Sequence, residues 1–195
     1  MENKIMETIV ARRSTRKYLP EVPAWEKIEE VIKAGRYAPS GGNSQSCHFI
    51  CIANGEVLEE LKEIVKTAFA GMEYDENTYK SIQNSIRLSK KGTYDFIYKA
   101  PVLIVVANKI GYGNAMADSS CALMNMMLAA ESVGLGSCWI NQLHWLDENP
   151  IVREKLYALG MKEDETVCGA LSLGIPAIPA QPSLERTGNP VDYIK

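Results

Sequence analysis

No CxxC pair, no GxGxxG turn and no phosphate loop closing on GK[ST] occurs in this 195-residue chain. The first absence argues against a zinc ribbon or dithiol redox centre, the other two against P-loop and dinucleotide-binding folds. Nothing approaches the roughly 20 apolar residues of a membrane span. The stretch from Met1 to Thr8 mixes charged with apolar side chains where a signal peptide would be continuously apolar. The chain reads as cytoplasmic, with no membrane partner. One-sided charge is missing too, since 21 basic and 24 acidic residues leave a net charge of -3. Apart from Arg12, Arg13, Arg16 and Lys17 the basic residues are scattered, which argues against a nucleic-acid surface. Cys47, Cys51, Cys121, Cys138 and Cys168 form an odd set, mostly inside apolar runs, and read as buried reduced thiols rather than metal ligands.

What remains is ordinary globular material, 46% hydrophobic and 23% charged, enough for one domain over residues 1–195 that buries roughly 70% of its unfolded surface. Asn3 can cap a helix carrying Met6, Ile9 and Val10 on one face. A second helix has Pro23 in its first turn, Ile28, Val31 and Ile32 on its inner face, and Gly35 as a stop. A strand over His48 to Ala53 follows, then a helix over Glu56 to Phe69. Residues 71–99 turn polar and tyrosine-rich, a broken helix and candidate lid. VLIVVA after Pro101 reads as a strand covered on both faces. Ala115 to Val133 forms a helix apolar nearly all round, more than one short chain can cover. A strand at Ser137 to Ile140, a helix at Asn149 to Leu159 and a strand at Thr166 to Leu173 complete an alternation that reads as α/β. The tail over 175–195 carries Pro176, Pro179, Pro182 and Pro190 before VDYI, too rich in proline to fold on itself.

Three segments carry chemistry. Arg12, Arg13 and Arg16 flank Ser14 at a helix end whose dipole alone would not draw an anion, so three planar guanidinium forks and a hydroxyl suit a phosphate; a solvated helix terminus is the plain alternative. Pro39-Ser40-Gly41-Gly42-Asn43 lets backbone amides approach a ligand, or is an ordinary turn. Gly134 to Ile140, GLGSCWI, either offers amides to a flat heteroatom ring or caps a helix. His48 at a strand start reads as structural, His144 beside Trp145 as near a pocket rim, and Cys138 as core rather than nucleophile. Lys80, Arg87, Lys90 and Lys91 read as solvated.

In this order, RRSTRKY at Arg12 to Tyr18, APSGGNSQ at Ala38 to Gln45, and GLGSCWI ahead of a proline-rich tail with Arg186 resemble the FMN-dependent nitroreductase family. The likeness runs from the first helix to VDYI. It implies an α+β fold, a three-layer α-β-α sandwich around a mostly antiparallel sheet. It also implies an intertwined homodimer, sealed by the long central helix and by exchanged C-terminal tails. By the same likeness Arg12, Arg13, Ser14 and Arg16, with Arg186, hold the FMN phosphate and ribityl chain. Pro39, Ser40, Gly41 and Asn43 reach in from the other subunit, and Leu135, Gly136 and Ser137 lie along the isoalloxazine. The chemistry is the flavin's, two electrons passing from NAD(P)H to a small electrophilic acceptor in ping-pong order with no catalytic side chain required. Reductive dehalogenation, or an FMN carrier without turnover, are the alternatives. Ser46 and Cys47 stand where relatives often have proline and tryptophan, and Met124 where many have glutamine, which alters packing near the loop and leaves acceptor choice open.

Overall fold

A run of consecutive aliphatic side chains stays dry only if both faces of its strand are covered. Val102 to Ala107 are all fully buried. The computed structural model describes residues 3–183 and 185–195; of the domain expected over 1–195, positions 1, 2 and 184 lie outside them. The elements run α1 (Lys4–Ala11), α2 (Trp25–Arg36), β1 (His48–Ile52), α3 (Gly55–Ala70), α4 (Lys80–Lys90), β2 (Val102–Lys109), α5 (Ala115–Ser132), β3 (Gly136–Ile140), α6 (Gln142–Trp145), α7 (Pro150–Ala158) and β4 (Glu165–Gly174). The strands form one sheet in the order β1-β2-β4-β3, every neighbouring pair antiparallel. Alternating helices and strands do not fix strand direction, so the α/β reading is corrected: the fold is the α+β sandwich.

The pleat sends alternate residues of β2 to opposite layers. Val102, Ile104 and Val106 join Leu171 and Leu173 beneath α2 and α5, meeting Ile28, Val31, Leu123, Met126 and Ala130. Leu103, Val105 and Ala107 face the other way, into Leu61, Val65, Phe69, Leu143, Val152 and Leu156 of α3, α6 and α7. Each Val, Leu, Ile, Phe or Met side chain among these contributes about 1.5–3 kcal/mol when fully buried.

Asn3 caps α1 as expected, its Oδ1 accepting from Met6 N at 3.2 Å. Pro23 instead lies ahead of α2, which starts at Trp25 with Ala24 as its cap, and Gly35 is inside the last turn rather than beyond it. There it is buried against Met126 of α5. Residues 71–99 hold a regular helix, α4. Asp75 organises the turn before it by accepting from the amides of Asn77 (3.1 Å) and Thr78 (2.8 Å). Ile86, Phe96 and Ile97 fasten this segment into the core. The short helix α6 was not expected.

α1 buries no residue at all. Its Ile5, Met6, Ile9 and Val10 stay exposed, as do Met116 and Met124 of α5. The cysteines are free: Cys138 and Cys168 are buried, Cys47 and Cys51 half-buried, whereas Cys121 on α5 is exposed, a correction to the uniformly buried set. Beyond β4 the tail makes an isolated bridge between Pro176 and Tyr18, Ala177 N donates to Lys17 O at 3.0 Å, and the described residues past Gln181 are exposed.

Candidate cofactor and substrate cleft

The segment after α1 runs alongside β3. Ser14 and Ser137 form a parallel bridge, with Thr15 N donating to Ser137 O at 2.9 Å. Two of the three expected segments are thereby joined. Contact is tight enough to require glycine at 136, since a Cβ there would lie 2.5 Å from Thr15 Oγ1. α5 closes just before, Gly134 N donating to Glu131 O and Leu135 N to Ala130 O at 2.8 Å. The glycine-rich segment is therefore both a helix end and a bed for residues 14 and 15. Leu135, Gly136 and Ser137 are buried in it.

The arginines divide the work. Arg13 turns back on the main chain: its Nη1 donates to Val10 O and Arg12 O, both at 2.7 Å, and its Nε to Gln181 O of the tail at 3.1 Å. Among the described residues neither Arg12 nor Arg16 pairs with a carboxylate. Arg16 lies over Tyr98 with its guanidinium carbon 5.7 Å from the ring centroid. Its pKa is raised: burial works against the charge, but the Tyr98 hydroxyl and nearby thiol and phenol groups outweigh that. Arg186 is exposed on the tail.

Arg16 opens on a cleft of about 660 Å³, within the usual range for a small-molecule site. Tyr79, Tyr94, Tyr98, Trp139 and Trp145 supply aromatic walls, Asn84, Asn141 and Gln142 polar points, and Lys80 and Lys99 further positive charge. Asp95, the one carboxylate in the lining, is paired with Lys62 at 2.9 Å. The walls are held in place: Gln142 Nε2 donates to Tyr94 OH at 2.7 Å, that hydroxyl meets Ser85 Oγ at 2.6 Å, and Tyr79 packs edge-on to Trp145 at 5.9 Å. Tyr98 and Lys99 both adopt φ 59°, a left-handed conformation costly for such side chains and found preferentially at binding sites.

Cys138 lies at the floor. Burial pushes its thiol up, outweighing the opposing effects of Arg16, Ser14 and Arg12, so the thiolate a nucleophile needs is disfavoured. His144 is not in the lining; its Nδ1 is 2.6 Å from Val167 O, and Trp145 faces the cleft instead. His48 pairs with buried Glu165 at 2.8 Å. Lys80 is in the cleft rather than only solvated, whereas Lys90 pairs with Glu73 and Arg87 with Asn84.

The third expected segment is elsewhere. Gly41 to Asn43 form a 3-10 turn, and Gly41 N donates to both carboxylate oxygens of Asp118 in the first turns of α5. Pro39 and Ser40 line a small separate pocket with Asp118 and Ala122. Leu135 to Ser137 follow the far end of α5. At 1.5 Å per residue the helix holds the two groups roughly 20 Å apart along its axis. Within one chain Arg12 to Arg16 and Leu135 to Ser137 meet, and Pro39 to Asn43 do not join them.

Sequence reasoning missed Tyr98, Trp139, Asn141 and Gln142. Trp139 lies inside GLGSCWI, Asn141 and Gln142 directly follow it, and the tyrosines of 71–99 read only as a lid; neither pattern has a periodicity that reveals a shared cavity.

The donor set suits a flat, phosphate-bearing cofactor: guanidinium groups without carboxylate partners beside a backbone bed and an aromatic cleft. The family model of the nitroreductase family matches residues 9–175. The crystal structure of a nitroreductase with bound FMN from Bacteroides fragilis is 35% identical over the whole of both chains, with a TM-score of 0.89. YdjA of Escherichia coli K12, provisionally named an NAD(P)H nitroreductase, is 26% identical over 92% of both chains. An iodotyrosine deiodinase of Danio rerio is 27% identical over 90% of this chain and 61% of its own. The chain belongs to the nitroreductase family.

Proposed function

We propose that the chain is an FMN-dependent oxidoreductase that carries two electrons from NADH or NADPH to small electrophilic acceptors such as nitroaromatics and quinones. The observation that carries this reading is Arg16, free of any carboxylate among the described residues, at the entrance of a cleft of about 660 Å³ walled by tyrosine and tryptophan. FMN bound there supplies the centre that accepts hydride and hands the electron pair on. The protein's part is to bind, orient and exclude water.

Arg12, Ser14 and Arg16, with Arg186 from the tail, hold the phosphate and ribityl chain. Arg13 has committed Nε and Nη1 to backbone carbonyls, so its main task is to fix the end of α1 and the tail. Leu135, Gly136 and Ser137 present main chain to the ring. One cleft serves nicotinamide and acceptor in turn, which gives ping-pong kinetics. The segment over 71–99 acts as its roof, α4 contributing Tyr79's neighbours Lys80, Ser81 and Asn84.

Pro39, Ser40, Gly41 and Asn43 complete the site from a second copy. The roughly 20 Å between the two groups, the apolar α1 face and the exposed Met116 and Met124 of α5 all support a homodimer built around α5. The described residues include no helix long and apolar enough to cross a membrane; action in the cytoplasm is part of the proposal.

The test is anaerobic absorbance of the purified protein in the flavin bands, before and after NADH or NADPH and then a nitroaromatic. Bleaching followed by recovery is expected. Bound FMN that no nicotinamide reduces would point to a flavin carrier, and a protein that refuses added FMN would refute the assignment.

A further inference from the structure

Asp118 and Ser119, consecutive residues of α5, grip the Pro39 to Asn43 turn and the residues behind it at two points. The Asp118 carboxylate is buried and accepts from Gly41 N at 3.1 and 3.2 Å, from Tyr112 OH at 2.9 Å and from Ser44 Oγ at 3.5 Å. Tyr112 OH also lies 3.2 Å from Gly41 O, so its one proton is shared between the carboxylate and the carbonyl of the residue whose amide Asp118 holds. Ser119 Oγ meets Cys47 Sγ at 3.6 Å, and buried Asn108 of β2 ties the clamp to the sheet by donating to Ser119 Oγ and Ala115 O, both at 3.3 Å. A Cβ at position 41 would lie 2.2 Å from Asn114 Nδ2 and 2.6 Å from Tyr112 OH, so any side chain there would push the Asn114 amide and the Tyr112 hydroxyl out of place.

A carboxylate is well placed here, because the N-terminal turns of a helix favour negative charge. Within itself the turn is closed only locally, Asn43 N donating to Ser40 O at 2.9 Å, Ser44 N to Gly41 O at 3.1 Å and Gln45 N to Ser40 Oγ at 3.1 Å, while Gly42, Asn43 and Gln45 all adopt positive φ and Gly42 to Gln45 are exposed, so the bonds to Asp118 and Tyr112 are what fasten it to α5. Ordering such residues costs on the order of 1–2 kcal/mol each. A turn left loose would charge that cost to whatever ligand it receives, whereas a clamped one has met it on folding.

We infer that Asp118 is a positioning residue that pre-shapes the Pro39 to Asn43 turn for cofactor binding in the partner's cleft. The inference rests on the FMN reading above. It places a determinant of flavin affinity on the central helix, with Asp118 acting through Gly41 rather than on the cofactor.

The experiment is an FMN titration of the apoprotein by flavin fluorescence quenching, comparing wild type, Asp118→Ala, Asp118→Asn and Tyr112→Phe, with circular dichroism as the check on folding. Asp118→Ala is expected to raise the Kd about tenfold, equivalent to about 1.4 kcal/mol, through faster FMN release. Asp118→Asn should recover most of the loss, since its Oδ1 can accept from Gly41 N while its amide donates to Tyr112 OH. Tyr112→Phe, which keeps the carboxylate and its bonds to Gly41 N but loses the phenol's contacts to Asp118, Gly41 O and Ser44 Oγ, should fall between wild type and Asp118→Ala. A merely structural role would lower the melting temperature of Asp118→Ala and leave its Kd unchanged, and that result would overturn the inference. If Asp118→Ala does not fold, Tyr112→Phe with a wild-type Kd and release rate overturns it equally. A wild-type protein that binds no FMN overturns the parent reading, and this inference with it.

Discussion

Arg16 stacks on Tyr98, whose backbone is in the left-handed region, so the cation at the cleft mouth is set by a residue some eighty positions away. Arg16→Ala removes a charged donor and bares the ring. Hydrogen bonds to charged groups contribute about 1.5–3 kcal/mol, so FMN affinity is expected to fall by roughly 10- to 100-fold. Arg16→Lys, which keeps the charge but loses the planar fork, should recover only part of it. Equilibrium titration with FMN decides; unchanged affinity in Arg16→Ala would remove this residue from the site.

Gly136→Ala tests the bed of the cleft. Its Cβ would collide with Thr15 Oγ1, Cγ2 and Cβ at 2.5 to 2.8 Å. Overpacking of this kind costs about 1–3 kcal/mol, and pushing residues 14 and 15 away also displaces Arg16. Lower thermal stability together with weaker FMN binding is expected, and adding Thr15→Gly should restore part of the stability. A variant as stable as wild type would show that the strand and the arginine segment are not pressed together.

Acid stability should depend on Glu165. Burial favours its neutral form, yet the His48 ring, the Lys162 amide and nearby positive charge hold the carboxyl below the usual glutamate range. A folded-state pKa below the unfolded value means that the ionised group stabilises the fold fully above the ordinary glutamate pKa of about 4.3. That contribution is lost as pH falls through the lower folded value. Glu165→Gln is therefore expected to be less stable than wild type near neutrality, with the gap closing below about pH 4. Urea unfolding at several pH values measures it, and a gap that persists undiminished in acid would show that the carboxylate charge is not the cause.

The exposed side of α5 gives a fourth expectation. Met124 is 43% exposed on a helix otherwise rich in buried apolar residues. Met124→Glu should shift the protein toward monomer in sedimentation velocity, with FMN lost in parallel. A monomeric wild type would end the dimer reading.

The sheet and its covering helices were legible because their signals are local and periodic. VLIVVA has the length and β-branched character of a doubly covered strand, and Asn54 caps α3 within a residue or two of the expected start. Strand direction was not legible, since it depends on pairings between β2 and β4, distant in sequence. The arginine run and GLGSCWI were visible as motifs, but the bridge between Ser14 and Ser137 that joins them was not. The cleft walls escaped for the same reason: Tyr94 and Gln142 are ordinary residues until the chain brings them to 2.7 Å. Nothing in the sequence sets Asp118 apart from Ser119, Ser120 or Asn125 of the same helix, and only the folded chain reveals its hold on Gly41.

The proposed division of one site between opposite ends of α5 in a homodimer has a genetic consequence that tests it. A chain with Arg16→Ala and a chain with Asp118→Ala would each impair both pockets of its own homodimer. When they pair with each other, one pocket receives both lesions and the other receives neither. Co-expression of two defective alleles should thus return mixed dimers with one sound pocket each, an interallelic complementation that two lesions in the same half, such as Arg16→Ala and Gly136→Ala, could not produce.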